Sequence, residues 1–276
     1  MKNSVNFYYY ENSIWNKLQS QTRDNYKLVK DISDLADELA AGGGAKYLLS
    51  SNYLYEINGT VSVDFTIELN GAYVKGEDNV EDRLVNATGG TLFTGNTGGN
   101  LKRLTIVSVG QQVFDITGSG TENLICLAVN FIGASSIGSL STLNIVFFNT
   151  GQFINNSGGI VATDINSYFM TLITWTNTNA GTFLTFSGTY TEIQLTNSNV
   201  NIASGVGLDV SANPTVGQAT IFNVAFSGAG NYVNGFTSGT YVGYNFTNDW
   251  VATGYYSMVN NTTVTPLVAN DTQSKF

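Results

Sequence analysis

Isolated carboxylates are the side chains that could do chemistry in the repetitive part of this sequence. A pair of carboxylates held several ångströms apart hydrolyses a glycosidic bond, one acting as proton donor and the other as nucleophile or base. The acids between residues 101 and 253 are Asp115, Glu122, Asp164, Glu192, Asp209 and Asp249. None has an acidic neighbour, so a pair forms only where distant parts of the chain stack. If the protein is an enzyme, we expect Asp164, Glu192 and Asp209 to supply the pair; otherwise each is a solvated turn residue.

Missing residue types exclude several other chemistries. The chain has no histidine, which rules out a histidine triad, a histidine general base and a histidine metal site. Beyond Arg103 the only basic residue is Lys275, and the formal net charge is −9. Nucleic acid and anionic membranes are therefore not expected as partners, because both are bound through basic side chains.

One acidic group and one thiol remain as candidate metal or redox sites. Glu77, Asp78, Glu81 and Asp82 could hold a hard cation, but they lack the spacing and the glycine of a calcium loop. We interpret them as a solvated turn and expect no metal and no cofactor. The single cysteine, Cys126, lies in an apolar run and is predicted to fill the core.

The elements that would position these residues repeat one short phrase between Leu101 and Trp250. Each copy has two apolar residues with one residue between them, followed by a small or amide residue. This period of two indicates strands with one face toward a core and a turn directly after, which is typical of stacked β-solenoid coils. Two sets of residues are predicted to stack. The apolar column is Phe147, Trp175, Leu195 and Phe226, and the amide ladder at a corner is Asn149, Asn177 and Asn197.

One helix is expected before the strands. Ile32, Leu35, Ala36 and Leu39 recur at helical spacing, and three glycines from Gly42 end the pattern. Laid over the first coil, this helix would hide its open edge. The predicted organisation is an attachment segment (1–30), a capping helix (31–45), a parallel β-helix (46–253) and a C-terminal strand with a tail (254–276).

The two ends hold aromatic residues outside the repeat. The first ten residues lack the long apolar stretch of a secretory signal. The N-terminal set is Tyr8, Tyr9, Tyr10 and Trp15, through which we predict attachment to a partner. The C-terminal set is Trp250, Tyr255 and Tyr256, through which we predict contact with a glycan or a neighbouring subunit. Trp175 could also stack on a sugar, but its register favours the core.

Several phrases resemble the opening of pectate-lyase-like right-handed β-helix proteins, and more narrowly the β-helix appendage proteins of tailed bacteriophages. They are Asp31-Ile-Ser-Asp-Leu-Ala-Asp-Glu-Leu39, Tyr53-Leu-Tyr-Glu-Ile-Asn-Gly59, Asn70-Gly-Ala-Tyr-Val-Lys-Gly76 and Leu101-Lys-Arg-Leu-Thr-Ile106. The likeness covers residues 31 to about 116 by phrase and the remainder by rhythm. It implies an all-β, right-handed parallel β-helix, trimeric and carried on a virion.

The favoured hypothesis is a non-enzymatic homotrimeric head or tail fibre of a phage particle. It would join other virion proteins through its N-terminus and contact host surface polysaccharide. Trimerisation also has a physical motive, since many aromatics on a weakly charged exterior would otherwise meet water. The alternative is a polysaccharide depolymerase of the glycoside hydrolase type on the same fold; lyase activity lacks a basic residue. A third hypothesis is an adhesin unrelated to viruses.

Overall fold

The computed structural model describes residues 8–11, 14–17, 24–177, 181–234 and 250–253. It shows an all-β parallel β-solenoid of about nine turns with one short helical segment near the N-terminus. The predicted all-β class, the parallel solenoid and the early helix are thereby confirmed. The strands in chain order are β1 (Tyr8–Glu11), β2 (Ile14–Lys17), β3 (Tyr26–Val29), β4 (Tyr47–Leu48), β5 (Leu54–Ile57), β6 (Thr60–Val63), β7 (Ile67–Glu68), β8 (Tyr73–Lys75), β9 (Arg83–Asn86), β10 (Phe93–Gly95), β11 (Gly99–Val107), β12 (Gln112–Thr117), β13 (Asn123–Ile132), β14 (Ser136–Ser141), β15 (Ile145–Ile154), β16 (Ile160–Thr163), β17 (Ser167–Asn177), β18 (Thr182–Ser187), β19 (Thr189–Ile202), β20 (Val206–Asp209), β21 (Thr215–Ser227), β22 (Asn231–Asn234) and β23 (Trp250–Thr253).

Two parallel sheets run the length of the solenoid. One sheet has nine strands, ordered β22-β20-β18-β16-β14-β12-β10-β7-β4, and the other has twelve, with the path β23-β21-β19-β17-β15-β13-β11-β8-β5-β3 and with β6 and β9 beside it. From β11 onward each coil contributes one long strand to the larger sheet and one shorter strand to the smaller. Because every second strand in the chain pairs with the next of its kind, the backbone winds in stacked turns.

Each long strand from β11 to β21 contains one residue in the left-handed conformation. These residues occupy the same register position, with φ between 48° and 56°: Arg103, Ala128, Thr150, Leu172, Asn197 and Asn223. A left-handed residue turns the chain and shifts the inside-outside alternation by one position. We call the segments before this corner face A, those after it face B, and the nine-stranded sheet face C. In the first coils β5 and β8 belong to face A, and β6 and β9 to face B.

The core is a set of columns in which like positions stack. On face B the inward column is Leu84, Ile106, Phe131, Phe153, Trp175, Val200 and Phe226. The Phe131 and Phe153 rings lie 4.9 Å apart, and Trp175 lies 6.2 Å from Phe153. Trp175 is only 1% exposed, so the prediction that it belongs to the core is confirmed.

The predicted apolar column was wrong in two of its four members. Trp175 and Phe226 share the face B column, but Leu195 lies in a face A column with Phe148 and Met170. Phe147 points outward and contacts the ring of Phe169. The reason is coil length: between β11 and β21 a coil takes 22 to 26 residues, as the pairs Asn123 with Ile145 and Thr189 with Thr215 show. The repeated phrase therefore fell on different faces.

The helical segment packs on the N-terminal end of the core. A 3₁₀ turn, Ile32–Leu35, leads into α1, Ala36–Ala41, and Asp31 caps the start by accepting the Ser33 N–H at 3.0 Å. Leu35 is buried, whereas Glu38 takes the inward place expected of Ala36. A 3₁₀ turn has three residues per turn, so it aligns positions i and i+3. Ala36 is therefore exposed.

The segment boundaries differ in detail from the predicted ones. Strand β3, within the predicted attachment segment 1–30, pairs with β5 in the twelve-stranded sheet, so the solenoid begins before the helix. Upstream, β1 and β2 form a two-stranded antiparallel sheet with Tyr10 opposite Trp15. The side chains of Tyr8, Tyr9, Tyr10 and Trp15, and all of the predicted tail 254–276, lie outside the described residues.

Candidate functional surface

The hydrogen bonds of Asp164 and Glu192 join the same two segments, the turn after β16 and strand β19. Asp164 follows β16, and its Oδ1 accepts the N–H of Thr189 at 2.8 Å. Glu192 lies on the exterior of face A in β19, and its own N–H donates to the Asn166 carbonyl at 3.1 Å, two residues after Asp164. Its carboxylate, however, accepts from the side chain of Gln194. The two acids therefore lie on adjoining coils with separate partners.

Asp209 lies on a different face from Glu192. It belongs to β20 on face C, where it pairs in register with Thr185. Its Oδ1 accepts the Ser211 N–H at 3.0 Å, the Ser211 hydroxyl at 2.7 Å and the Asn234 amide at 3.1 Å. The predicted pair of Glu192 with Asp209 is thus not brought together, because the two residues belong to different sheets.

The acidic group near residue 80 is an ordered corner. Asp82 is buried, and its carboxylate accepts the backbone N–H groups of Gly59 at 2.7 Å, Glu77 at 2.7 Å and Asp78 at 2.9 Å. Burial raises the pKa of Asp82, but the three backbone donors outweigh it and hold the pKa below its ordinary value. Glu77 pairs with Lys75, which also lies 3.2 Å from Glu56. The Asp82 carboxylate thus stabilises the backbone at Gly59 and at Glu77 and Asp78, and it is buried rather than solvated.

Metal ligands do not gather in the part of the chain that the structure describes. No group of three or more cysteine, aspartate or glutamate side chains is placed to share an ion there. Cys126 is a buried free thiol, and burial raises its pKa, so the predicted core role is confirmed.

The predicted amide ladder was wrong in its membership. Asn149 lies on the exterior of face A beside Thr171, while Asn197 is exposed at the left-handed corner and accepts from Asn223 at 2.9 Å. The side chain of Asn177 lies outside the described residues. A different ladder lies between faces C and A, where Asn166 donates to Asn144 at 3.0 Å and Asn144 donates to Asn123 at 3.1 Å. Asn197 and Asn223 suit the corner between faces A and B because asparagine tolerates the left-handed conformation that both adopt.

An apolar patch on the exterior of face A escaped the sequence reasoning. Its members are half-buried and occupy three successive coils, β13, β15 and β17: Ile125, Leu127, Ile145, Phe147 and Phe169. We call these five residues the face A patch. The Phe147 and Phe169 rings lie 6.2 Å apart, nearly perpendicular. In the sequence Ile125, Phe147 and Phe169 follow one another at intervals of 22 residues, but this spacing indicates a column only once the coil length is known.

Two further apolar side chains are exposed on or beside face A. Leu172, at the corner of β17, is 55% exposed, and Phe222, two coils further along face A, is 44% exposed. Face C differs: the outward row that includes Ser139, Thr185 and Asp209 is mainly hydroxyl and carboxyl, interrupted by Val161. Face B carries a row of half-buried aliphatic residues, Val107, Ile132 and Ile154, so between β11 and β21 the exterior phenylalanines lie on face A and a smaller aliphatic row lies on face B.

Charged side chains are few in the same region. Beyond Arg103, the charged side chains in the described residues are Asp115, Glu122, Asp164, Glu192 and Asp209. Hydrogen bonds from the backbone and hydroxyl of Ser119 lower the pKa of Glu122 to about 2. Only Glu192 among these five lies on face A, at its polar end. None of the five lies on face B. The five patch residues are uncharged, and Lys102 on the preceding coil pairs in register with Leu127 and borders them.

The remaining candidates for glycan contact are the C-terminal aromatic residues. Trp250 contributes its backbone to β23, which pairs with β21, while its side chain and the whole of Tyr255 and Tyr256 lie outside the described residues. Among the described residues, no helix has the length and apolar character needed to cross a membrane.

Comparison of the chain with protein families, curated proteins and solved structures finds no significant match.

Proposed function

We propose that this protein is a non-catalytic structural subunit, a stiff β-solenoid column that projects from a larger particle. The observation that carries the proposal is the unbroken parallel register from β11 to β21, stacked on a continuous aromatic core. Such a column resists bending because each coil is bonded to the next by backbone hydrogen bonds over its whole width. In the same region Asp164 and Asp209 accept hydrogen bonds from corner residues, which is a structural use of a carboxylate.

The resemblance of residues 31 to about 116 to phage appendage proteins directs this proposal to a virion. In its full form the column is a right-handed β-helix in a homotrimer, a head or tail fibre. Its N-terminal segment with Tyr8, Tyr9, Tyr10 and Trp15 holds other virion proteins, and Trp250, Tyr255 and Tyr256 contact host surface polysaccharide. The face A patch supports assembly, because a lone column would leave these apolar side chains in water.

The test of the structural role is an activity measurement on the purified full chain. It is incubated with bacterial capsular polysaccharides and lipopolysaccharides, and released reducing ends are counted. We expect no release above a heat-denatured control. Antibodies raised against the chain should also label one fixed position on intact phage particles. Release of reducing ends by the folded protein would overturn the proposal.

A second candidate, a glycoside hydrolase, is favoured by one specific observation. The hydrogen bond from Glu192 N–H to the Asn166 carbonyl places Glu192 one coil away from the turn that contains Asp164. If reducing ends are released, D164N and E192Q should each abolish the release, while D209N should leave it unchanged. Activity that survives both substitutions would remove this pair as the catalytic one.

A further inference from the structure

The exterior of face A carries larger apolar side chains than the other exterior surfaces of the central coils, and its five patch residues are uncharged. Lys102, in register with Leu127, borders the patch on the preceding coil. The outward rows of face A in β13, β15 and β17 are occupied by Ile125 and Leu127, by Ile145 and Phe147, and by Phe169. The other outward side chains in these rows are small or neutral polar residues, such as Asn149 and Thr171. Contiguous apolar surface of this kind on a soluble protein marks a contact site.

The shape of the surface suits a straight partner. Neighbouring parallel strands are spaced about 4.8 Å apart, so the three coils form a nearly flat strip along the axis of the column. The Phe147 and Phe169 rings stand on adjacent coils with centroids 6.2 Å apart, so they act as one aromatic ridge. A partner that matches this strip has an extended, regular face of its own.

Charge decides between the classes of partner. The region beyond Arg103 is acidic, with Asp115, Glu122, Asp164 and Asp209 on other surfaces. A basic partner would be drawn to those acids and not to the neutral patch. A glycan needs hydrogen-bond donors and acceptors, which the phenylalanine and isoleucine side chains lack. Two copies of this chain meet without opposing carboxylates only through an uncharged surface. Of the two such surfaces, the face A patch has the larger side chains, two of them aromatic, whereas the row on face B is aliphatic: Val107, Ile132 and Ile154.

We propose that the face A patch is the contact between copies of this chain. Burying Ile125, Phe147 and Phe169 against the same residues of other copies removes the apolar strip from water without bringing carboxylates together. Glu192 remains at the polar end of the face, where water can reach it. The number of copies, three, rests on the proposed function; the location of the contact rests on face A itself.

The test compares the full chain with two matched variants by size-exclusion chromatography with light scattering. F147E places a charge in the centre of the patch, whereas V161E places the same charge on face C, at a valine that is 43% exposed. We expect the wild type and V161E to have the mass of three chains at micromolar concentration. F147E should raise the dissociation constant at least about 30-fold, as loss of an aromatic anchor commonly does.

A milder variant and a folding control keep the outcome decisive. F169S removes the second ring without adding charge and should also shift the equilibrium toward monomer. Circular dichroism and thermal unfolding of each variant, measured as monomer, should match those of the wild type. A wild type that stays monomeric, or an F147E variant that assembles as well as V161E does, would overturn the inference. Neither result bears on the polysaccharide assay, which tests the structural function separately.

Discussion

The first coils, residues 24 to 98, and the central coils, residues 99 to 227, stabilise the same solenoid by different means. In the first coils the strands have two to four residues, and ion pairs connect the elements. In the central coils the strands of the larger sheet have 9 to 14 residues and surround an aromatic core. All ion pairs found in the described residues lie between Lys27 and Arg103. The first coils should therefore be sensitive to pH and the central coils to packing.

The polar connections of the first coils are partly buried. Glu38 of α1 is 4% exposed and accepts hydrogen bonds from Lys27 at 2.7 Å and from the Tyr55 hydroxyl at 2.9 Å. Burial raises the pKa of Tyr55 to about 12, so its hydroxyl stays protonated and donates. Such groups are costly to leave unpaired, so each bond matters more than it would on an exposed surface.

The largest effect is expected from W175A in the central coils. Removing the indole leaves a cavity between Phe153 and Phe183, whose ring centroids lie 6.2 Å and 4.8 Å from that of Trp175. We expect a loss of about 3–5 kcal/mol in the free energy of unfolding, measured by urea denaturation. Its exposed neighbour Thr174 supplies the control, since T174A should cost less than about 1 kcal/mol. Equal losses would mean that the aromatic column does not stabilise these coils.

The next effect is expected from E38A in the first coils. The substitution leaves Lys27 and Tyr55 without their shared acceptor, and because Lys27 is partly exposed we expect a loss of about 2–3 kcal/mol. The control is D37A, whose carboxylate lies 3.7 Å from the same Lys27 but is 97% exposed. D37A should be nearly neutral. Hydrogen exchange should show the E38A loss confined to β3, β4 and β5; loosening that extends to β19 would contradict the separation of the two regions.

A smaller effect is expected from D82N, and it should depend on pH. The pKa of Asp82 is lowered in the folded chain, so its contribution is complete above the ordinary value of 3.8 and is lost as the pH falls below it. At pH 7 the amide should cost about 1–2 kcal/mol, because one of its atoms cannot accept the backbone N–H groups. Thermal unfolding between pH 2 and 7 should show a weaker acid destabilisation for D82N than for the wild type. D115N, at an exposed carboxylate, is the control. Parallel curves for D82N and the wild type would show that Asp82 does not contribute to the acid destabilisation.

The smallest effect, with the opposite sign, is expected from Y168F. The Tyr168 hydroxyl is buried and has no hydrogen-bond partner among the described residues, whereas the Tyr190 hydroxyl donates to the Ala162 carbonyl at 2.6 Å. Removing the unpaired hydroxyl should raise the free energy of unfolding by up to about 1 kcal/mol, while Y190F should lower it by about 1–2 kcal/mol. Destabilisation by both substitutions to the same extent would show that the two hydroxyls have equivalent surroundings.

The sequence was sufficient for the fold but not for the register, and the reason lies in particular residues. Alternation and the glycines after α1 predict strands and a helix end from local rules. The corners at Arg103, Ala128 and Leu172 adopt a conformation that glycine and asparagine favour, so no residue type marks them. Without the corners, coil length cannot be counted. Packing against the coils on either side holds these residues in place, and that packing is not local.

The missed patch has the same origin. Ile145, Val146, Phe147 and Phe148 are apolar in both phases of the alternation, so the sequence does not say which pair faces inward. The register decides, burying Val146 and Phe148 and leaving Phe147 beside Phe169 outside. For the carboxylates, the sequence shows that no two acids are neighbours in the repeat region, but it does not reveal which turn each one caps.

The register of stacked coils is the claim on which the rest depends, and a pair of engineered cysteines tests it most directly. Thr163 and Ser187 are register partners on face C, and their hydroxyl oxygens lie 2.8 Å apart. T163C/S187C should form an intrachain disulfide under mild oxidation, seen as a loss of two mass units with Cys126 still reduced. T163C/T185C, shifted by two residues along the same strand, should not form it. Equal disulfide formation in both variants, or formation only in the shifted one, would contradict the register.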